Sequence, residues 1–313
     1  MILKNKKIFI TGGAGYLGKH LIKRWVSDNK ITVFSRDEAK HYFLKKQYPD
    51  VEFIVGDVRN YDLLKRASKG HDIGIFAASL KQIEACQENY EEATQVIVHG
   101  AFNSRRCAVE NGFEAACFIS TDKAVSPTTI YGLCKGLAGE AFISNNKSDT
   151  RLVTAVYGNI LNSTGSIIPL MWDSIFEGRE LTLYGEDMTR FALMPQDAIH
   201  LIEIGLEKNN ITVVPKALSF KLKDLFDIFE DEFGLKYKIG TPRSSEKIHE
   251  IMISSEQIPR TFYCKEHELF YISQDKIASE PQFNFINNEY SSRDYCVEKE
   301  YFRKTLEKVE YFY

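Results

Sequence analysis

The feature that most constrains the fold is a glycine-rich stretch near the start of the chain, Thr11-Gly12-Gly13-Ala14-Gly15-Tyr16-Leu17-Gly18. It follows a short apolar run at residues 7–10 and precedes a helical pattern over residues 16–26. In such a loop between a strand and a helix, the first glycine allows a tight turn and the second lets the backbone approach a pyrophosphate. The third allows the helix to pack closely on the strand. The helix N-terminus adds free N–H groups that favour phosphate. We predict a dinucleotide site here, with an ordinary βα turn as the alternative; its candidate residues are Thr11, Gly12, Gly15, Tyr16, Leu17 and Gly18.

Strands and helices alternate along the rest of this half. Apolar runs at residues 31–34, 51–55, 73–76, 115–119 and 152–157 predict buried strands, and the segments between several of them predict helices. Such alternation is typical of an α/β fold with a doubly wound parallel Rossmann sheet. We predict a Rossmann domain for NADP at residues 1–162. Residues 163–313 are predicted to form a smaller α+β region that binds substrate, with segments that return to the first domain.

The tip of the second predicted strand bears on the choice of cofactor. Ser35, Arg36 and Lys40 follow it, and a hydroxyl with two cations suits a 2′-phosphate better than free ribose hydroxyls do. The residues therefore favour NADP over NAD. The competing interpretation is a solvated helix start capped by Ser35 or Asp37.

Two more strand ends complete the predicted cofactor site. Asp57 and Val58 follow the third strand, where Asp57 can accept from the adenine amino group or simply cap a helix. Ala77, Ala78 and Ser79 follow the fourth strand, and small residues there let the backbone lie against a dinucleotide.

The end of the fifth strand carries the predicted chemistry. Thr121, Asp122 and Lys123 place a hydroxyl, a carboxylate and an amine where open α/β sheets bind their ligands. After Pro127 a helix begins, and Tyr131 and Lys135 fall one turn apart on one face. A nearby ammonium favours a phenolate, so Lys135 is expected to lower the pKa of Tyr131 and suit it to work as a base. A chance pairing on a solvated helix face is the alternative.

Composition and charge exclude several classes. The 313 residues carry 40 Lys and Arg against 43 Asp and Glu, without the basic footprint of a nucleic-acid partner. No apolar run approaches the ~20 residues of a membrane span, and the N-terminus lacks the pattern of a signal peptide. Six cysteines without CxxC spacing and seven histidines without metal spacing indicate reduced thiols and no metal site. We expect a soluble, cytoplasmic protein with no membrane partner.

Taken together, the motifs TGGAGYLG, SRDE, GDVR, STDKA and YxxxK resemble those of the extended short-chain dehydrogenases/reductases. More narrowly, the chain is similar over nearly its whole length to the NADP-dependent UDP-N-acetylglucosamine 4,6-dehydratases. Within that family it resembles the short C5-inverting enzymes of pseudaminic-acid and capsule pathways. The C5-retaining, membrane-bound relatives usually carry Met at the position of Tyr131.

The resemblance implies a UDP-sugar substrate, UDP-GlcNAc, and a UDP-4-keto-6-deoxy-hexosamine product for surface glycans. It also implies a homo-oligomer, dimer or hexamer, for which the predicted helix over residues 90–111 is a possible interface. The substrate residues that it implies are Lys81, Asn159, Ser166, Arg190, Arg243 and Glu246.

The resemblance also implies a division of labour. Tyr131 takes the proton of the sugar 4-OH with Thr121 near O4, Lys123 removes H5 if its pKa is lowered, and Asp122 donates to the departing 6-OH if it is protonated. Three alternatives remain: a 5,6-dehydratase that stops at a 5,6-ene, an NADP-dependent sugar-nucleotide 4-epimerase or reductase, and a non-catalytic NADP sensor.

Several positions depart from the family pattern, among them Ser244 and Ser245 in a segment that reads RPGEK in the family. Ile97 replaces an Asn that normally helps to fix active-site side chains, and Val156 and Thr164 each replace an Arg. These departures leave the dehydratase class in place but bear on the exact substrate and product.

Overall fold

The computed structural model describes residues 3–242, 245–274 and 289–309 of the chain. Its first half alternates strands with helices, as the apolar runs predict. These elements are β1 (Lys7–Thr11), α1 (Tyr16–Trp25), β2 (Lys30–Ser35), α2 (Glu38–Gln47), β3 (Glu52–Val55), α3 (Tyr61–Ala67), β4 (Ile73–Phe76), α4 (Ile83–Glu88), α5 (Tyr90–Thr94), α6 (Gly100–Glu110), β5 (Ala115–Ile119), α7 (Ile130–Ile143) and β6 (Arg151–Ala155).

The second half is less regular. Its elements are β7 (Asn159–Ile160), α8 (Ile167–Glu177), β8 (Glu180–Leu183), β9 (Thr189–Leu193), α9 (Pro195–Gly205), β10 (Ile211–Pro215), β11 (Leu218–Lys221), α10 (Leu222–Phe233), β12 (Lys236–Ile239), β13 (Ile251–Ile253), β14 (Thr261–Cys264), β15 (Leu269–Ser273), β16 (Tyr290–Ser291) and α11 (Lys299–Leu306).

The main sheet has the order β14-β15-β10-β6-β5-β4-β1-β2-β3. Its strands run parallel from β3 to β10, and β15 and β14 add antiparallel pairs at one edge. The strand order reverses between β1 and β4, and open sheets of this type bind ligands at such a reversal. The predicted doubly wound α/β fold is confirmed.

Helices cover both faces of this sheet, so β4 and β5 are buried along their whole length. On one face α1 meets α9, where Trp25 donates from Nε1 to Glu203 Oε1 at 2.8 Å. On the other face Phe142 of α7 packs on Phe76 and Phe118. The helix α9 and the strands β10, β14 and β15, which come after residue 162, belong to this layer. The boundary at residue 162 itself stays a prediction.

The remaining elements form a smaller layer beside the carboxyl ends of the strands. It contains the sheets β11-β9-β7, β12-β8 and β13-β16. The helices α8, α10 and α11 enclose a hydrophobic core separate from those on the two faces of the main sheet. In it the ring centroids of Phe220 and Phe302 lie 4.1 Å apart in a stacked arrangement. This layer provides the second wall of the cavity described below.

The helix expected over residues 90–111 differs in one respect. Between α5 and α6 the backbone forms a π-helical turn, Gln95–His99, which contains the buried Ile97. π-turns of this kind occur inside α-helices and often near functional sites.

Within the described ranges, no helix combines the length and apolar character needed to cross a bilayer.

Candidate active site

A crevice lies at the strand-order reversal between β1, β2 and β4. Its volume is about 230 Å³. The predicted cofactor residues that line it are Gly12, Gly15, Ser35, Arg36, Lys40, Asp57, Val58, Ala78 and Ser79.

The glycine-rich loop shapes one wall of this crevice by close backbone approach. Gly12 has φ +68°, and a Cβ there would lie 2.9 Å from the backbone N of Ala78. Gly15 precedes α1 without a side-chain cap, so no capping side chain satisfies the first N–H groups of the helix. These groups suit a pyrophosphate, and its binding here stays a prediction.

Other predicted loop residues hold this loop in place through hydrogen bonds and packing. Thr11 Oγ1 accepts from the Ala78 N–H at 3.3 Å, and Ala77 N donates to Thr11 O at 3.2 Å. The Tyr16 hydroxyl donates to Leu161 O at 3.0 Å, and Leu17 packs on the core. A Cβ at Gly18 would overlap the backbone of Gly13, so α1 packs closely on the glycine-rich loop at this position.

The residues expected at a 2′-phosphate are gathered at the end of β2. Ser35 Oγ lies 2.6 Å from His41 Nε2, and Arg36 Nη1 lies 3.8 Å from Asp57 Oδ2. Lys40 Nζ pairs with Asp37 Oδ2 at 2.6 Å. Asp37 also accepts from the Lys40 N–H and so caps α2, a role that Ser35 does not take.

Asp57 does not cap a helix either. Asn60 caps α3, and Asp57 pairs with the guanidinium of Arg59, which lowers the pKa of that carboxyl. A hydrogen bond from Asp57 to adenine stays a prediction.

The end of β5 places the predicted acid–base residues in a buried turn. The segment Asp122–Ala124 is a short 3₁₀-helix that begins after Thr121. The Thr121 hydroxyl donates to Asp122 Oδ1 at 2.8 Å, and Lys123 Nζ lies 3.1 Å from the same oxygen. The side chains of Asp122 and Lys123 are 1% and 22% exposed, and Asp122 Oδ2 is buried without a hydrogen-bond partner among the described residues.

Tyr131 and Lys135 lie in the first turns of α7, which Thr129 caps by accepting from the Gly132 N–H. Lys135 Nζ donates to Ile119 O at 2.8 Å, and burial lowers the pKa of this amine to about 7. Burial raises the pKa of Tyr131 to about 12, against the opposing effect of Lys123. The lowered pKa expected for Tyr131 is therefore wrong, because desolvation of the phenolate is the larger effect.

Lys123 meets a carboxylate from a distant part of the chain. Glu250 Oε1 lies 3.3 Å from Lys123 Nζ, and Asn159 Oδ1 lies 3.4 Å from it. The Glu250 side chain is 4% exposed, with Arg190 Nε 3.9 Å from Oε1 and Lys247 Nζ 3.9 Å from Oε2. Sequence reasoning did not select Glu250 or Lys247 as site residues, although both lie in the segment 246–250 that carries part of the family resemblance.

The charges in this cluster set its protonation. Burial, together with the neighbouring Glu250, raises the pKa of Asp122. Burial favours the neutral amine of Lys123, but Asp122 and Glu250 outweigh it and raise the pKa of Lys123. Burial also favours the neutral form of Glu250, but Lys123, Arg190 and Lys247 outweigh it and lower the pKa of Glu250. Burial thus opposes ionisation of Asp122, and the condition of a lowered pKa for Lys123 is not met, because the two carboxylates outweigh burial.

A second cavity of about 490 Å³ opens over this cluster, between the two layers. Apolar side chains of α8 and α10, including Leu170 and Phe226, form part of its wall. The predicted site residues that line it are Lys123, Asn159, Arg190 and Glu246.

Three predicted substrate residues are not among those lining this cavity. Lys81 Nζ donates to Thr164 O, which joins the segment after β4 to the loop before α8. Ser166 precedes α8, and its hydroxyl is buried without a partner among the described residues. Arg243 lies outside the described residues.

Fold and site together define a class of protein. A doubly wound parallel sheet, a glycine-rich first turn and a Tyr–Lys pair on the helix after β5 identify an enzyme of the extended short-chain dehydrogenase/reductase class.

Comparison with known proteins narrows this class. Residues 8–273 match the family described as polysaccharide biosynthesis protein. The inverting UDP-N-acetylglucosamine 4,6-dehydratase of Campylobacter jejuni subsp. jejuni serotype O:2 is 32% identical over 300 residues, which cover 92% of this chain and 86% of that protein. A UDP-glucose 4-epimerase of Rickettsia canadensis is 34% identical over 82% of this chain and 80% of its own length. The X-ray structure of Pen from Bacillus thuringiensis superposes with a TM-score of 0.91 at 25% identity, over 100% of both chains.

The chain therefore belongs to the polysaccharide biosynthesis protein family of extended short-chain dehydrogenases/reductases.

Proposed function

We propose that this protein is an NADP-dependent, C5-inverting UDP-GlcNAc 4,6-dehydratase, a lyase whose product is a UDP-4-keto-6-deoxy-hexosamine. The observation that carries the proposal is the buried cluster of Asp122, Lys123 and Glu250 beneath the larger cavity. It supplies acid–base groups in addition to the Tyr131–Lys135 pair.

This cluster separates the proposal from a 4-epimerase. Relatives named as dehydratase and as epimerase have similar overall identities, so identity alone does not choose between them. An epimerase works at C4 and needs no proton transfer at C5 or C6. Burying two carboxylates and an ammonium together is unfavourable unless they are paired, and such perturbed groups concentrate at functional sites.

The cofactor part of the proposal rests on the first crevice. The backbone of Ala78 comes close to Gly12, and no side chain caps the first N–H groups of α1. Both features suit a dinucleotide pyrophosphate. Arg36 and Ser35 at the end of β2 suit a 2′-phosphate, and Lys40 lies beside them. When bound, the nicotinamide would accept the hydride from C4 of the sugar and return it to C6, so no external redox partner is needed.

In this mechanism the chain's own residues move three protons. Tyr131 acts as the phenolate, which burial disfavours and the charge of Lys123 favours. It takes the proton of the sugar 4-OH, and the resulting 4-ketone makes H5 acidic. Lys123 removes H5, and Asp122 gives its proton to the departing 6-OH as water leaves. A proton returned to C5 from the opposite face inverts that centre.

The direct test is incubation of the purified protein with UDP-GlcNAc in D₂O, with product identification by NMR. A 4-keto-6-deoxy product with deuterium at C5 and inverted configuration supports the proposal. A 5,6-ene would instead support the 5,6-dehydratase, and a C4 epimer without deuterium at C5 would support the epimerase. The absence of any reaction, with bound NADP, would support the sensor.

Variants of the three acid–base residues separate the steps. Tyr131→Phe should abolish both reduction of the bound nicotinamide and exchange of H5. Lys123→Ala should still permit the reduction, seen by absorbance, while exchange of H5 is lost. Asp122→Asn should permit exchange at a pH where Lys123 is neutral but slow loss of water, and each effect should be about 10²- to 10⁴-fold. Uniform loss of all steps in the Asp122 and Lys123 variants would indicate a structural role and return the assignment to the epimerase.

We further propose a cytoplasmic homo-oligomer, dimer or hexamer. Leu133 and Leu137 of α7 are each 57% exposed, and Tyr90 of α5 and Phe102 of the adjoining α6 are exposed as well. Apolar side chains presented by adjacent helices favour burial against a second copy.

A further inference from the structure

The proposed reaction places two demands on the Asp122–Lys123 pair that the resting charges do not meet at once. Removal of H5 needs a neutral Lys123, and loss of the 6-OH needs a protonated Asp122. Both demands are satisfied when the pair holds one proton in total and that proton lies on Asp122. Transfer from Lys123 Nζ to Asp122 Oδ1, 3.1 Å away, breaks one N–H bond and forms one O–H bond. It converts an ammonium and a carboxylate into an amine and a carboxylic acid, without any other reactant.

The pair therefore works only in the pH range in which Asp122 and Lys123 together hold one proton. With two protons Lys123 cannot act as a base, and with none Asp122 cannot act as an acid. Two interacting groups titrate together, so the limits of this window belong to the pair rather than to either residue. A fixed charge close to both groups moves both limits in the same direction.

Glu250 is such a charge. Its Oε1 lies 3.3 Å from Lys123 Nζ, its side chain is 4% exposed, and it lines the substrate cavity. It arrives from the segment before β13, far from Asp122 in sequence, so the contact exists only in the folded chain. Arg190 and Lys247 hold it as an anion, because each places a cationic nitrogen 3.9 Å from one of its oxygens.

We propose that Glu250 is a positioning residue whose negative charge retains the shared proton on the Asp122–Lys123 pair. The inference rests on the proposed dehydratase function and adds a residue that acts through the pair. Lys123 faces Asp122 on its own turn, Tyr131 from α7, Arg190 from β9, and Glu250 and Lys247 from the segment before β13. Glu250 and Asp122 favour the retained proton, whereas the two cations oppose it.

The test is the pH dependence of deuterium incorporation at C5 during turnover of UDP-GlcNAc. The wild-type profile should be bell-shaped, with one limb for each limit of the proton count. Glu250→Gln removes the negative charge at nearly constant volume, so both limbs should move to lower pH. The expected shift is about one pH unit or more, because a charge at this distance typically shifts a pKa by 1–3 units. Glu250→Asp keeps the charge and should leave the limbs near their wild-type positions at a lower rate.

Glu246→Gln is the matched control. Glu246 lies in the same segment and its Oε1 lies 3.0 Å from Arg190 Nη2, but no contact of Glu246 with Lys123 is found in the described part of the chain. The limbs of the Glu246→Gln pH profile should move much less than those of the Glu250→Gln profile. Lys247→Met removes an opposing cation and should move both limbs to higher pH, a sign opposite to that of Glu250→Gln. This second variant decides the matter if Glu250→Gln does not fold.

Three results would overturn the inference. One is a Glu250→Gln profile that is lower in height but unshifted, as a purely structural role predicts. Another is an equal shift in Glu246→Gln. The third is an unshifted or acid-shifted profile in Lys247→Met. These outcomes differ from failure of the proposed function, in which the wild-type protein itself incorporates no deuterium at C5.

Discussion

Replacing Lys135 by methionine is expected to stabilise the protein free of cofactor while abolishing turnover. The Lys135 side chain is buried in α7, donates to Ile119 O and lies over the ring of Phe118, with Nζ 4.9 Å from the centroid. Burial lowers its pKa from 10.5 to about 7. The unfolded chain keeps the amine protonated to higher pH than the folded chain does.

The magnitude follows from this difference in pKa. Between pH 7 and 10.5 the unfolded state binds more protons than the folded state, so the contribution of Lys135 to the free energy of unfolding rises with pH across this window. At about 1.4 kcal/mol per pKa unit, its burial costs about 4 kcal/mol at pH 7 and little at pH 10.5. Methionine is of similar length and uncharged, and it loses a hydrogen bond worth about 1 to 2 kcal/mol. The net gain expected at pH 7 is therefore about 2 to 3 kcal/mol.

Chemical denaturation of the cofactor-free wild type and variant, at neutral and at alkaline pH, measures this gain. The control is Lys208→Met, since Lys208 Nζ also lies over an aromatic ring, 5.3 Å from the centroid of Tyr271, but at a less buried position. It should show no comparable gain at neutral pH. A Lys135→Met variant that is less stable than the wild type at pH 7, or a gain that does not shrink as pH rises, would refute the reasoning.

Three further outcomes are expected from the fold and the cofactor crevice. Arg36→Asp should weaken NADP binding about tenfold or more but change NAD binding little, since a charged hydrogen bond to the 2′-phosphate contributes about 1.5–3 kcal/mol. Equal losses of affinity for NADP and NAD in a fluorescence titration would contradict the 2′-phosphate site. Gly18→Ala should destabilise the protein by about 1–3 kcal/mol in thermal unfolding, because its Cβ overlaps the backbone of Gly13. An unchanged melting temperature would show that α1 can move away from the loop. Leu133→Glu combined with Leu137→Glu should dissociate the proposed oligomer in sedimentation, and an unchanged assembly would place the interface elsewhere.

Much of the Rossmann unit could be predicted from the sequence because its signals are local. A fully buried parallel strand must be apolar along its length, and β4 and β5 show this as unbroken runs. The glycines at residues 12, 15 and 18 mark positions where a Cβ would lie close to another stretch of backbone. Gly234, in the left-handed conformation after the last turn of α10, likewise marks the end of that helix by residue type.

The π-helical turn at Gln95–His99 was not predicted, since its residues read as ordinary helix. The returning segments β10 and β15 were expected only in general terms, because the apolar character of a strand does not reveal which neighbour it pairs with. Their places in the main sheet depend on contacts between residues far apart in the chain.

The candidate site divides in the same way. Thr121, Asp122, Lys123, Tyr131 and Lys135 are near neighbours in sequence, so their spacing could indicate the chemistry. Their protonation could not be predicted, because a pKa depends on burial and on every nearby charge. Burial raises the pKa of Tyr131 where a lysine four residues away suggested the opposite. Glu250 raises the pKa of Lys123 from 127 positions along the chain. The sequence by itself determined which groups are present at the end of β5. Only the tertiary structure decided in which direction the pKa of each group is shifted, since folding alone brings the distant charges together and removes the water between them.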